Sequence, residues 1–121
     1  MTNIEYRQFM DEIYFLIKNS DRYRAKIGLG FVFQPERLTE SRRKKFNFSF
    51  VNLCKKYGII DETLYNNLDE IWSKCRDENE YMFRFDKTTA MRMVFKDYLS
   101  KVYNYYEAFG KEQKNNQEDG N

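Results

Sequence analysis

The stretch LYNNLDEIWSKC, residues 64–75, decides the fold class of this 121-residue chain. Its apolar residues and its cysteine recur at intervals of three and four, as one side of an α-helix requires. The stripe consists of Leu64, Leu68, Ile71, Trp72 and Cys75. Polar residues fill the intervening positions, so the opposite side of the helix faces water. The stretch therefore predicts an amphipathic helix, and Asp61 is placed to cap its start.

Two segments before this stretch show the same period. TNIEYRQFMDEIYFLIKNS opens with Thr2 and Glu5 at the spacing of a capping box, which predicts a helix over residues 3–19. A second helix is expected from residue 39, or from Pro35, to residue 57. Gly58 then stands where a helix ends in left-handed conformation, with Ile59 placed to cap the end hydrophobically.

A fourth helix is expected after the opening stretch, from residue 86 or 88 to Phe109, with Gly110 ending it. The whole chain holds one Pro and five Gly, so helix breakers are few. Four long helices with short connections predict an all-α fold, a four- to five-helix antiparallel bundle over residues 1–110. Residues 111–121, KEQKNNQEDGN, contain no apolar side chain and are expected to form a disordered polar tail.

The composition narrows the chemistry. The chain has no histidine, which removes Ser-His and Cys-His nucleophile pairs and His-ligated metals. Cys54 and Cys75 both fall on apolar helix faces, so we expect two buried thiols rather than a metal site. No catalytic constellation is recognisable, which favours a binding protein over an enzyme and implies no cofactor. Neither a membrane span nor a signal peptide is recognisable, and a cytoplasmic protein is expected.

Charge is distributed unevenly along the chain, although the net charge is only +2. Between residues 22 and 45, eight basic residues face two acidic ones, whereas residues 61–86 are predominantly acidic. The basic set is a candidate surface for RNA or DNA, because lysine and arginine neutralise phosphates. It comprises Arg22, Arg24, Lys26, Arg37, Arg42, Arg43, Lys44 and Lys45. An acidic protein partner and an ordinary solvated surface remain the alternatives.

Aromatic residues make up 18% of the chain, and most lie at core positions of the predicted helices. Tyr23, Phe48, Tyr81 and Phe83 lie off the main stripes, where they could anchor a protein partner or a homodimer. A candidate partner surface combines some of these with nearby charges. It comprises Tyr23, Asp69, Glu70, Arg76, Tyr81 and Phe83.

The stretch RDENEYMF, residues 76–83, joins two predicted helices and places Tyr81 four residues beyond an Arg-Asp pair. Together with the preceding KKYGIIDETLYNNLDEIW, it resembles the HEPN superfamily of small helical domains over residues 53–109. The resemblance implies that Arg76 matches the family's arginine, Asp77 its polar residue, and Tyr81 the position of its histidine. Because that histidine is missing, the resemblance implies a non-catalytic member that binds RNA or a partner.

Three functions follow as hypotheses. The first is a non-enzymatic binding module of bacterial or phage type that binds RNA or DNA through the basic set. The second is an inhibitor or adaptor directed at a protein, as in phage–host conflict, which uses acidic and aromatic patches. The third is a degenerate RNase in which Tyr81 or carboxylates replace histidine.

Overall fold

The computed structural model describes residues 1–21, 35–59 and 62–119, with side chains for residues 1–20, 39–59 and 62–112. It contains α1 (Asn3–Asp21), α2 (Pro35–Lys56), α3 (Leu64–Glu78) and α4 (Lys87–Asp119), and a short 3-10 helix (Glu80–Arg84) joins α3 to α4. These ranges contain no strand, so the predicted all-α class is confirmed. The capping role predicted for Asp61 lies outside the described residues.

The helices form an antiparallel bundle around α4, which contacts each of the other three. The Tyr6 hydroxyl near the start of α1 donates to the carbonyl of Glu107 in the second half of α4, over 3.3 Å. Asn79, just after α3, donates to Asp97 in the first half of α4. α1 and α3 therefore run antiparallel to α4. α2 runs parallel to α4, because Phe46 meets Tyr98 and Phe50 meets Tyr106.

The core is dominated by aromatic side chains from α2 and α4. Phe46 and Phe50 of α2 meet the rings of Tyr98 and Tyr106 of α4 edge-on, with ring centroids 5.9 and 4.8 Å apart. Trp72 of α3 packs edge-on against Tyr98 from the other side, at 5.2 Å. The predicted stripe of α3 is confirmed, since four of its five members are buried.

The helix ends follow the capping chemistry that the sequence predicts at two places. Thr2 and Glu5 form the reciprocal capping box at the start of α1, with bonds of 3.1 and 3.2 Å. At the end of α2, Gly58 has φ of +77°. Its amide donates to Lys55 O over 3.0 Å, and the Ile59 amide donates to Cys54 O over 2.9 Å, which is the bond pair of a Schellman motif.

One predicted helix end is wrong: α4 does not stop at Gly110 but continues to Asp119. Gly110 is buried inside the helix and faces the ring of Tyr6. A Cβ atom at this position would lie 2.8 Å from Tyr6 Cε2, closer than packed carbon atoms approach. The glycine therefore permits close approach of α1 and α4 rather than ending a helix. Disorder of residues 111–121 stays a prediction.

Candidate nucleic-acid interface

The basic run SRRKK begins on the third turn of α2, and its side chains point in different directions. Arg43 turns inward, and only 14% of its side chain is exposed. Its Nη1 donates to Asp69 Oδ1 of α3 over 2.8 Å, its Nε donates to Glu40 Oε2 over 3.2 Å, and the guanidinium lies 5.1 Å from the Trp72 ring centre. Arg43 thus connects α2 to α3 and is not available to a partner.

Arg43 also alters its acidic neighbour. The hydrogen bond that Arg43 donates lowers the pKa of Glu40 below its ordinary value, against the opposing effect of partial burial. Glu40 and Asp69 together neutralise the arginine. Of the predicted partner-binding residues, Asp69 is therefore already engaged within the molecule.

Arg42 turns toward α1 and borders a cleft of about 450 Å³ between α1, α2 and α4. Leu16 and Phe95 form part of its apolar wall, and Ser41 and Ser49 contribute hydroxyls. Lys45 lies at its rim. Of the four consecutive basic residues, only Lys44 and Lys45 are exposed.

These two lysines belong to a continuous exposed side of α2. We call it the basic face: its side chains are all exposed and recur at intervals of three and four along the helix. It comprises Ser41, Lys44, Lys45, Phe48, Asn52 and Lys55. Phe48 lies at its centre with 63% of its surface exposed. The face holds three lysines and no carboxylate, and none of the three forms an ion pair with a residue that the structure describes.

The one acidic side chain of α2 that the structure describes, that of Glu40, does not lie on this face. Glu40 is bound to Arg43 on the inner side of the helix. Lys56, at the edge of the face, is neutralised by Glu12 of α1, with 2.7 Å between Nζ and Oε1. Arg37 lies in the first turn of α2, and its side chain lies outside the described residues.

Four of the predicted site residues precede α2 in the chain. Arg22, Tyr23, Arg24 and Lys26 belong to the segment between α1 and α2 that lies outside the described residues. Sequence reasoning missed Asn52 and Lys55, although their positions four and seven residues after Phe48 are the signal that identifies them.

The predicted partner surface around residues 76–83 is only partly exposed. Tyr81 is 57% exposed, whereas Phe83 is half-buried and packs against the core. The Arg76 guanidinium stacks over the Phe83 ring, 5.4 Å from the ring centre. Arg76 lies exposed in the last turn of α3 and stacks on this ring of the 3-10 helix. Glu70 is also exposed on α3.

Asn79, within this connection, is the polar residue that sequence reasoning missed. It is buried, and its side-chain amide donates to Cys75 O over 2.8 Å and to Asp97 Oδ2 over 2.9 Å. An ion pair between Glu78 and Lys101 lies beside it. These contacts of Glu78 and Asn79 fix the end of α3 on α4. The HEPN resemblance stays a prediction.

The described residues offer little for covalent or metal chemistry. Cys54 and Cys75 are unpaired and buried, as predicted, and burial raises their pKa to about 12 and about 11. Thiols with such values remain protonated and unreactive near neutral pH. Within the described ranges, no group of three or more His, Cys, Asp or Glu side chains could hold a metal ion.

Comparisons with protein-family models, with curated proteins and with solved structures give no match to this chain. Among its described helices, none combines the length and apolarity that crossing a membrane needs. The class that the fold defines is a small α-helical bundle.

Proposed function

We propose that this protein is a non-enzymatic nucleic-acid-binding module and that the basic face of α2 is its contact surface. One observation carries the proposal: every exposed side chain on this face is basic, neutral polar or aromatic, and no carboxylate interrupts it. Three lysines without ion pairs to the described residues are available to neutralise phosphates and release their counterions.

The geometry of the helix also suits a linear polyanion. Lys44 and Lys55 are eleven residues apart on a straight exposed stripe, which spans about 16 Å at 1.5 Å per residue. Successive phosphates along one strand can follow such a stripe without deforming the protein. Because contacts to phosphates carry no sequence information, we expect little sequence preference from them.

The test is a titration of fluorescein-labelled RNA and DNA oligonucleotides, followed by fluorescence anisotropy. Replacing Lys44, Lys45 and Lys55 together with Gln should weaken binding roughly 100-fold at about 0.1 M salt, since about two released counterions are lost. Arg43 is kept in this variant because its loss would leave Asp69 and Glu40 without their cation.

The matched control removes the same charge from α4, where Lys87, Arg92 and Lys96 are also exposed. Replacing those three with Gln should leave the affinity within about twofold of the wild type, since only the basic face contacts the ligand. Equal losses in both variants would show an effect of net charge alone and would remove the basic face as the binding site.

The acidic side of α3 supports a second candidate, an adaptor that docks on a basic protein. Glu70 and Asp77 are exposed and line a shallow depression of about 590 Å³. Neither is in an ion pair with a described residue. Reversing both to Lys should release such a partner in a pull-down while nucleic-acid affinity is not reduced. Loss of nucleic-acid binding in that variant would contradict the division of labour between α2 and α3.

A further inference from the structure

Phe48 is an unusual residue for the place it occupies. It lies at the centre of the basic face, 63% exposed, while the other phenylalanines of α2, Phe46 and Phe50, are buried. Polar side chains surround it on the same side of the helix: Lys44 and Lys45 precede it by one turn, and Asn52 follows it by one turn. The ring neither belongs to the core nor has an aromatic partner among the described residues.

An exposed aromatic ring flanked by lysines can bind an unpaired nucleotide through both its base and its phosphates. A base that is not in a duplex exposes a flat π surface, which stacks on an aromatic side chain while flanking cations hold the adjacent phosphates. In a duplex the base faces are covered by their neighbours, so Phe48 would gain little from the contact. The amide of Asn52 lies within one turn of the ring and offers both a donor and an acceptor to a base edge.

We propose that the basic face selects single-stranded nucleic acid, with one unpaired base stacked on Phe48 and the neighbouring phosphates bound by Lys44, Lys45 and Lys55. This inference rests on the nucleic-acid-binding function proposed above and narrows its ligand to single strands. Stacking is tolerant of sequence, because every base has a π face.

The variant that tests it is Phe48→Leu, which keeps an apolar side chain but removes the aromatic ring. Because Phe48 is exposed, the substitution should leave the fold intact. Phe15→Leu on α1 is the matched control, since Phe15 is 61% exposed and lies outside the basic face. Each protein is titrated with a labelled single strand and with the same strand annealed to its complement.

The wild type is expected to bind the single strand more tightly than the duplex. Phe48→Leu should weaken single-strand binding by about 5- to 150-fold, the loss of one stacked base, and leave duplex binding within about twofold. Phe15→Leu should change neither. In Phe48→Trp, the emission of the new tryptophan should be quenched by the single strand, while Trp72, buried in the core, should contribute a constant background.

Two results would overturn the inference without touching the proposed function: a Phe48→Leu protein that binds the single strand as tightly as the wild type, or a wild type that prefers the duplex. In both cases the triple lysine variant would still lose affinity. If the triple lysine variant binds normally, or if anionic phospholipid vesicles bind while neither strand form does, the proposed function fails together with the inference.

Discussion

Arg43 and Lys44 are adjacent in the sequence, yet the fold assigns them different tasks. Arg43 lies between two carboxylates and a tryptophan ring, and Lys44 faces water. The 100° step between neighbouring residues of a helix produces this division. The sequence could show that four basic residues are spread around a helix. It could not show which of them α3 would neutralise, because that depends on where Asp69 lies after folding.

The pairing of Arg43 with Glu40 predicts a pH dependence of stability. The folded pKa of Glu40 lies below its ordinary 4.5, so the charged pair stabilises the protein above that pH and is lost as the pH falls through the folded pKa. Urea unfolding from pH 7 to 3 should therefore show a shallower decline in the free energy of unfolding for Glu40→Gln than for the wild type. Parallel profiles across this range would refute the assignment.

The close contact between Gly110 and the Tyr6 ring predicts how an alanine at position 110 affects stability. Alanine is better than glycine in a helix interior by about 1 kcal/mol, but its Cβ would collide with the Tyr6 ring, and overpacking costs about 1–3 kcal/mol. Gly110→Ala should lower the free energy of unfolding by about 1 kcal/mol. In a Tyr6→Ala background the same change should raise it by about 1 kcal/mol, since the obstacle is gone. The same sign in both backgrounds in urea titrations would show that the contact does not explain this glycine.

The turn between α3 and α4 depends on Asn79, a buried side chain that the apolar periodicity of the sequence does not reveal. Asn79 follows the last turn of α3, within a stretch of charged residues. It is buried, and its side-chain amide donates to Asp97 of α4. Asp86 then caps α4 by accepting bonds from the amides of Thr88 and Thr89, at 3.0 and 3.3 Å. Residues 79–86 thus form a defined turn between two helices.

Asn79→Ala is predicted to cost about 2–4 kcal/mol, because it removes two side-chain hydrogen bonds, one of them to the Asp97 carboxylate. The backbone amide of residue 79 still donates to the Cys75 carbonyl over 3.2 Å. Asn104→Ala, an exposed position on α4, should not lower the stability. Chemical denaturation followed by circular dichroism measures both. A cost near zero for Asn79→Ala would mean that water replaces its amide and that the turn is held by apolar packing alone.

The elements themselves were largely predictable from the sequence, and their contacts were not. Apolar spacing located α3, and capping residues located the start of α1 and the end of α2. The sequence offered two starts for α2, of which Pro35 is the observed one. Gly110 was misassigned because a glycine inside a helix and a glycine after it look the same until the neighbour is known. Phe48 was recognised as an outlier, but its central place on the basic face required the exposure of every residue around it.

At the scale of the molecule, the described residues place exposed lysines on one side of α2 and exposed carboxylates on α3. The basic face of α2 carries three lysines, while Glu70 and Asp77 lie exposed on α3. Arg43 and Asp69 neutralise each other where the two helices meet. Under the proposed function, a polyanion would be attracted to the basic face and repelled by the carboxylates of Glu70 and Asp77, which would orient it during encounter. This polarity is invisible in the net charge of +2.

The central claim, that the basic face binds the phosphates of nucleic acid, is tested most directly by the salt dependence of binding to a single strand. The logarithm of the association constant, plotted against the logarithm of salt concentration, should fall linearly for the wild type. Replacing Lys44, Lys45 and Lys55 with Gln should reduce the magnitude of that slope by about 2, and the α4 control should leave it unchanged. An unchanged slope in the triple lysine variant, or no measurable binding by the wild type at low salt, would contradict the claim.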